Sequence, residues 1–203
     1  MRRVFAILCM LLCATSLSAQ SAHTYLDELE RSLGGRYAFT IAVQVGDAED
    51  MLYGRVMVDG DSYYMSLEGM EVYSDGELRY EINNERKEIV EDRVNLLSED
   101  ILTNPTRVFA YFDKEFEVRG ITHQGSLTTI DLAPRNPDLM GDYSVSLTVE
   151  RTERGVEPRH LYYDYDGYVV DLALEVLHQS DAEFRHWKEH KMEYRAYDMI
   201  SFL

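Results

Sequence analysis

The chain has 203 residues, of which 45% are hydrophobic, and 37 acidic residues against 20 Lys and Arg give it a formal net charge of −17. Nucleic acid and anionic bilayer surfaces repel such a protein, so neither is expected as a partner. The charge also keeps a protein with much apolar surface in solution, and we favour this explanation over a specific basic partner.

Residues 1–20 have the pattern of an export signal, with Arg2 and Arg3 ahead of an apolar run and a small-residue exit. The run is shorter than the ~20 apolar residues of a membrane-spanning helix. We therefore expect cleavage near Ala19 or Gln20 and export to the periplasm. Loss of the two arginines lowers the formal net charge from −17 to −19.

Both cysteines, Cys9 and Cys13, lie within this signal. The mature chain, residues 21–203, is therefore expected to contain no disulfide, no cysteine nucleophile and no cysteine metal site. Neither cysteine follows the small residue that a lipoprotein signal requires, so we expect no lipidation. About 183 residues suit a single domain with a sizeable core.

The mature chain opens with apolar residues at helical spacing, which end at Gly34-Gly35. These residues are Ala22, Tyr25, Leu26, Leu29 and Leu33. The spacing predicts an amphipathic helix, and the sheet that follows is the nearest surface on which its apolar face can be buried.

From Tyr37 onward, hydrophobic residues alternate with polar ones in short segments. The alternation predicts strands over 37–45, 51–58 and 63–67, one that ends at Ile82 and one over 87–90. Turns at Asp59-Gly60-Asp61 and Asp75-Gly76 join them, because Gly adopts positive φ without steric cost and Asp tolerates it. Such short links favour an antiparallel meander.

A helical insertion is predicted after Ser98. Asn104 is the expected cap and Pro105 the first helical residue. The insertion carries the aromatic residues Phe109, Tyr111, Phe112 and Phe116. A helix rich in aromatic residues between two runs of strands is expected to act as a lid.

Strands resume after Gly125, with segments over 127–132, 143–150, 159–165 and 168–177. No linker rich in Pro, Gly or Ser divides the chain, so we predict one domain. The predicted fold class is α+β: a single-domain, unclosed antiparallel β half-barrel of about nine to eleven strands, with a helical lid over an apolar concavity.

No pattern points to an enzyme. His186 and Glu189-His190 match H-x-x-E-H, but the chain lacks the long helix and distant acidic ligand that this zinc motif needs. We interpret the two histidines as part of a solvated strand edge. The sequence contains no G-x-S-x-G and no phosphate-binding or dinucleotide glycine motif. We therefore expect no catalytic residue, no metal and no cofactor.

The chain contains 15 Tyr and 9 Met, which are adaptable apolar side chains. These side chains could fill a core or line a pocket, and the sequence favours neither explanation. A pocket is a real alternative because one sheet of this length cannot bury its concave face without a lid or a ligand.

In this order, the motifs resemble the periplasmic outer-membrane lipoprotein carriers, the LolA-like family, over most of the mature chain. The matching pieces are the first helix, the Gly54 strand, Ser74-Asp75-Gly76, Tyr80, Lys87-Glu88, Asn104-Pro105, Asp131-Leu132-Ala133-Pro134, the Tyr143 strand and Tyr197-Asp198-Met199-Ile200. The resemblance makes residues 21–203 a LolA-like lipoprotein carrier domain.

The resemblance implies a monomeric chaperone, without cofactor or catalysis, that holds the acyl chains of lipoproteins or lipids in a cavity and ferries them toward the outer membrane. An inner-membrane lipoprotein-releasing transporter is the implied partner. The candidate cavity and lid residues are Phe39, Ile41, Val56, Tyr64, Met65, Phe109, Phe112, Phe116 and Val145. Alternation alone leaves open which strand face is concave.

One feature of the family is missing. Its best-known members carry an Arg-Pro latch after the second long strand, where this chain has Asp59-Gly60-Asp61. The nearby aromatic residue of the family is matched by Tyr64. An envelope sensor of the same half-barrel fold, which binds a lipid or lipoprotein and signals, is the alternative function.

Overall fold

A computed structural model describes residues 22–46, 50–95, 101–106, 108–140, 143–165, 168–177 and 183–203. The predicted export signal and the side chain of Tyr111 lie outside the described residues. Among the described helices, none is long and apolar enough to cross a membrane.

Twelve strands form one sheet in the described part of the chain. The strands are β1 Arg36–Val45, β2 Leu52–Asp59, β3 Ser62–Leu67, β4 Met70–Ser74, β5 Leu78–Asn83, β6 Glu88–Arg93, β7 Phe116–Gln124, β8 Leu127–Pro134, β9 Tyr143–Thr152, β10 Gly155–Tyr165, β11 Tyr168–Leu177 and β12 Asp198–Ser201. Their order is β12-β6-β5-β4-β3-β2-β1-β11-β10-β9-β8-β7. Because β12 and β7 are both edges, the sheet does not close.

Neighbouring strands are antiparallel except β12, which runs parallel to β6. The helices are α1 over residues 22–33, α2 Val108–Glu115, α3 Pro137–Met140 and α4 Trp187–His190, and a 3₁₀ turn, Lys191–Tyr194, follows α4. The helices lie on both sides of the sheet and define its two faces.

The larger core lies on one side, which we call the α1–α2 face. The helix α1 contributes Ala22, Leu26 and Leu29, all buried at the spacing of one helical face. A salt bridge of 2.6 Å between Glu28 and Arg151 fixes α1 against the β9 end of the sheet. Helix α2 covers the remaining part of this face.

The opposite side, the α4 face, has its own core over β2 to β6. Its buried members include Met57, Tyr64, Tyr73, Tyr80 and Tyr194. Phe184, Trp187 and Tyr197 of the last segment of the chain pack against it. Successive residues of a strand therefore serve different cores, as the period of two requires.

The predicted fold class, α+β with a single unclosed antiparallel sheet, is confirmed, although the helical lid is smaller than expected. The prediction of nine to eleven strands is wrong, because twelve are described. The prediction overlooked β7, and it named no strand at β4, between residue 67 and the turn at Asp75-Gly76. A turn at Glu68-Gly69, with φ of 43° and 83°, separates β3 from β4.

The predicted start of the lid helix is also wrong. Pro105 and Thr106 form a turn, and α2 begins at Val108. Phe116 is the first residue of β7 and not part of the helix. The short helix and the turn ahead of it nevertheless lie over the sheet, as a lid would.

Candidate functional site

The floor of the candidate site consists of strand side chains on the α1–α2 face. Phe39 pairs with Val56 across β1 and β2, and Val56 pairs with Met65 across β2 and β3. Side chains of directly paired residues lie on the same face, so this row crosses three strands. With Ile41 and Val145 it forms one buried apolar cluster.

The roof consists of the phenylalanines of α2 and the first residue of β7. Phe109 meets Phe39 of the floor at a ring-centroid distance of 5.8 Å and Phe112 at 6.4 Å, both edge to face. Phe112 meets Phe116 at 5.8 Å, and Phe116 meets Tyr143 at 5.6 Å. The rings form a continuous row from β1 to β9, held by apolar contact and favourable ring geometry.

The segment ahead of α2, residues 101–106, is fastened to the sheet by two tyrosines that sequence reasoning missed. The hydroxyl of Tyr37 donates to the carbonyl of Pro105 at 2.8 Å, and that of Tyr63 donates to the carbonyl of Thr103 at 3.1 Å. Burial raises the pKa of both tyrosines, which keeps them protonated and able to donate. We call residues 101–106 and α2 together the cover.

The structure brings together eight of the nine predicted site residues and separates the ninth. Phe39, Ile41, Val56, Met65, Phe109, Phe112, Phe116 and Val145 belong to the cluster of the α1–α2 face. Tyr64 lies on the α4 face, so its placement with the others was wrong. Tyr64 and Met65 are neighbours in β3 and must point to opposite sides.

These eight residues are packed tightly while the cover is in place. Phe39 and Val56 are 0% exposed, and Phe112 and Phe116 are 1% exposed. In this arrangement the floor and the roof fill each other's space as a core does. A ligand of any length enters only if the cover moves and its phenylalanines leave the sheet.

A second group of residues that sequence reasoning missed lies on the α4 face. Arg185 donates to the hydroxyl of Tyr73 at 2.9 Å, that hydroxyl lies 3.0 Å from the hydroxyl of Tyr194, and Tyr194 donates to Glu71 at 3.0 Å. Because the hydroxyl proton of Tyr194 is donated to Glu71, the hydrogen bond between the two tyrosines is donated by Tyr73. The hydrogen bonds therefore run from Arg185 through Tyr73 and Tyr194 to Glu71. The hydroxyl of Tyr64 also donates to Glu71, at 2.8 Å.

This network attaches the last segment of the chain to the sheet. Burial first, and then the hydrogen bond with Tyr73, raise the pKa of Tyr194. Burial lowers the pKa of Arg185, but its hydrogen bonds with Tyr73 and Glu193 outweigh burial and raise it. Arg185 and Tyr194 therefore keep the protons that their hydrogen bonds require at neutral pH.

The two histidines of the H-x-x-E-H pattern point to different partners. His186 lies 3.5 Å from Asp59, whereas His190 lies 2.6 Å from Glu193. Both lie at the helical turn of α4, so their interpretation as part of a strand edge was wrong. In the described residues, no three His, Cys, Asp or Glu side chains are grouped to hold a metal.

No protein-family model and no curated protein matches the chain. Solved structures do. An uncharacterized conserved protein from Thermus thermophilus matches with a TM-score of 0.55 at 14% identity, over 89% of this chain and 99% of that one. The chain therefore shares the fold of that protein.

Two further structures match at lower TM-scores. LprF from Mycobacterium bovis has a TM-score of 0.46 at 11% identity, over 78% of this chain and 93% of that one. A LolA superfamily protein from Nitrosomonas europaea has a TM-score of 0.36 at 12% identity, over 78% of this chain and 91% of that one.

The turn Asp59-Gly60-Asp61 stands where the lipoprotein carriers that the sequence resembles have an Arg-Pro latch, and it contacts other elements. Asp59 lies 3.7 Å from Arg36 and 3.5 Å from His186, and the amide of Gly60 donates to the carbonyl of Gly35 at 2.7 Å. The turn is thereby joined to β1 and α4, whereas the hydrogen bonds described above for the cover come from Tyr37 and Tyr63.

Proposed function

We propose that the protein is a periplasmic carrier that binds the acyl chains of lipoproteins between the sheet and the cover and ferries them toward the outer membrane, without cofactor or catalysis. One observation carries the proposal. A row of apolar side chains across β1, β2, β3 and β9 is covered by a helix of only eight residues, and two tyrosine hydroxyls fasten the segment ahead of it.

The energies favour exchange of the phenylalanines for a lipid. Burying each of the two phenylalanines of the cover, Phe109 and Phe112, contributes about 1.5–3 kcal/mol, so lifting them costs on the order of 3–6 kcal/mol. An acyl chain of about sixteen carbons gains about 0.8 kcal/mol for each buried CH₂, which amounts to roughly 12 kcal/mol. A lipid chain therefore replaces the rings at a net gain, and the cover closes again when the chain leaves.

The partners follow from this chemistry. Acylated lipoproteins or lipid acyl chains are the ligands, an inner-membrane lipoprotein-releasing transporter is the donor, and the carrier acts as a monomer. The export signal in residues 1–20 supports a periplasmic location. The resemblance of the motif order to the lipoprotein carriers supports the direction of transport.

The position of the acyl chain can be tested with tryptophan as a reporter, because Trp187 is the single tryptophan and packs on the α4 face. In a Trp187→Phe, Phe109→Trp variant the reporter lies in the cover instead. Dibrominated stearate quenches tryptophan only at close range. We expect saturable quenching of the variant and none of the unmodified protein, with unbrominated stearate as the control ligand.

The same assay separates binding from folding. Phe112→Glu places a charge among the acyl chains and should weaken stearate binding roughly tenfold or more, whereas Phe184→Glu on the α4 face should leave binding unchanged. Circular dichroism reports whether each variant folds. The proposed position would be rejected if dibrominated stearate quenched Trp187 in the unmodified protein, or if it quenched neither tryptophan. This holds whether or not the Phe112→Glu variant folds.

A further inference from the structure

The strand β12 leaves one edge of the sheet open. The amide of Asp198 donates to the carbonyl of Lys87 and that of Phe202 donates to the carbonyl of Glu91, each at 2.9 Å. Since alternate residues of a strand bond to the same side, the amides of Met199 and Ser201 point away from β6. The sheet order ends at β12, so no described strand pairs with that outward side.

The two edges of the sheet differ in how they are protected. The other edge, β7, has a bulge between Val118 and Gly120 and an ion pair of 2.7 Å between Glu117 and Arg119. Bulges and charges are the usual means of preventing a sheet edge from pairing with another chain. In contrast, β12 exposes Met199 at 52% and Ile200 at 43%, and Phe202 follows at 66%.

An apolar groove lies beside the open edge, on the α4 face. Its volume is about 340 Å³, and it lies between β5, β6, β12 and the 3₁₀ turn. Tyr80 and Trp187, which stack at a centroid distance of 4.3 Å, line it together with Met192 and Met199. Met199 belongs to both features, because its amide faces the open edge and its side chain lines the groove.

The groove is also a positive place on a negative protein. Lys191 and Arg195 line it together with one acidic residue, Glu91, and within the described part of the chain neither cation has an ion-pair partner. The chain as a whole carries a formal net charge of −17. The network of Arg185, Tyr73 and Tyr194 holds the wall of the groove to the sheet. The groove is therefore preformed, and its lining carries two cations against one carboxylate, whereas the molecule as a whole is strongly negative.

We propose that this edge and groove bind an extended peptide segment of another protein by β-strand addition. The outward amides of Met199 and Ser201 pair with the peptide backbone, apolar side chains of the peptide enter the groove, and an acidic side chain meets Lys191 and Arg195. This docking is independent of acyl binding, since it uses the opposite face of the sheet from the cover.

Charge favours this occupant over two others. An anionic membrane surface attracts the two cations but repels the remaining molecule. In a dimer formed through this edge, the like charges of the two edges face each other, and the two molecules, which are both strongly acidic, repel each other. A short peptide strand with apolar side chains and a few acidic ones is attracted by Lys191 and Arg195. Its total negative charge is small, so the rest of the molecule repels it less than it repels a membrane surface or a second copy of the chain.

Fluorescence polarisation of a labelled short peptide of alternating glutamate and valine tests the proposal on the exported protein. We expect binding, and roughly tenfold weaker binding of the matched lysine and valine peptide. Lys191→Glu with Arg195→Glu should weaken binding of the glutamate peptide about tenfold or more. Arg31→Glu with Arg55→Glu changes the net charge equally at exposed sites elsewhere and should leave binding unchanged.

The hydrogen bonds of the edge need their own variant. Ser201→Pro removes an outward amide while the inward amides keep their bonds to β6, and it should weaken peptide binding severalfold in a protein with an unchanged far-ultraviolet spectrum. The proposal is overturned if neither peptide binds, or if both double variants bind alike. It is also overturned if phosphatidylglycerol vesicles bind instead, or if sedimentation shows a dimer that Ser201→Pro abolishes.

Discussion

At the scale of single residues, Gly54 shows how closely two strands of this sheet approach each other. It pairs with Leu67 across β2 and β3. A Cβ built on Gly54 would lie 2.2 Å from the carbonyl oxygen of Ser66 and 2.9 Å from a methyl carbon of Leu67. Because the first of these atoms belongs to the backbone, a side chain at this position forces the two strands apart.

Gly54→Ala should therefore destabilise the protein by about 1–3 kcal/mol, the usual cost of overpacking. Gly35→Ala is the matched control, since nothing lies within 4 Å of the Cβ it would add. Urea unfolding followed by circular dichroism measures both variants. Equal midpoints for the two would contradict the close approach at Gly54.

The residue pattern predicted on which face of the sheet a side chain lies, but not which distant residue that side chain contacts. Alternation placed Val56 and Val58 on one face and Met57 on the other, as the structure has them. The same rule excludes Tyr64 and Met65 from one site, yet the family resemblance suggested both. No local pattern gives the bond from Tyr37 to Pro105, because 68 positions separate the two residues.

At the scale of elements, the cover is an apolar helix with few polar attachments. Phe109 and Phe112 pack in the apolar cluster of the sheet together with Ile101 and Val108, and the two tyrosine hydroxyls fix where the preceding segment lies. Each such hydrogen bond contributes about 0.5–1.5 kcal/mol net. We therefore expect the two tyrosines to set how often the cover opens, and not whether the protein folds.

Tyr37→Phe with Tyr63→Phe should loosen the cover. Loss of about 1–3 kcal/mol raises the population of the open form roughly 5- to 150-fold, so a fluorescent fatty acid should associate at least severalfold faster. Tyr64→Phe is the control, because it removes a tyrosine hydrogen bond of 2.8 Å on the opposite face. Stopped-flow mixing measures the rates, and an equal acceleration in the control would show that the two tyrosines do not hold the cover.

Elements with a regular pattern were predictable, and the irregular ones were not. The spacing of Leu26, Leu29 and Leu33 predicted α1 within one residue. Strand β7 was missed because its bulge interrupts the alternation and its outer half is exposed. The turn at Glu68-Gly69 was missed because Glu rarely adopts the positive φ it has here.

At the scale of the whole molecule, one sheet carries two cores with different chemistry. The α1–α2 face is covered mainly by aliphatic and phenylalanine side chains, and the hydrogen bonds described from it to the cover are those of Tyr37 and Tyr63. The α4 face is covered by tyrosines whose hydroxyls bond to each other, to Arg185 and to Glu71. If the cover opens as the proposed function requires, the second face still holds the sheet and the last segment of the chain together.

This division predicts how the protein responds to alkali. Burial is the main cause that raises the pKa of six tyrosines above its ordinary value near 10. These are Tyr37, Tyr63, Tyr64, Tyr73, Tyr80 and Tyr194. A group whose pKa is higher in the folded state stabilises the fold below its unfolded pKa, and this stability is lost as the pH rises toward the folded value.

We therefore expect full stability up to about pH 10 and a steep loss above it, since each such tyrosine contributes a slope of about 1.4 kcal/mol per pH unit. Ionisation of the buried tyrosines and unfolding should then occur in one transition, followed by tyrosinate absorbance at 295 nm and by circular dichroism. Tyr80→Phe should make the transition less steep, whereas Tyr53→Phe, at a ring that is 65% exposed, should leave it unchanged. Ionisation of all tyrosines near pH 10 with an intact circular dichroism spectrum would mean that the hydroxyls of the α4 face are open to solvent, and that the last segment of the chain is not held as the structure has it.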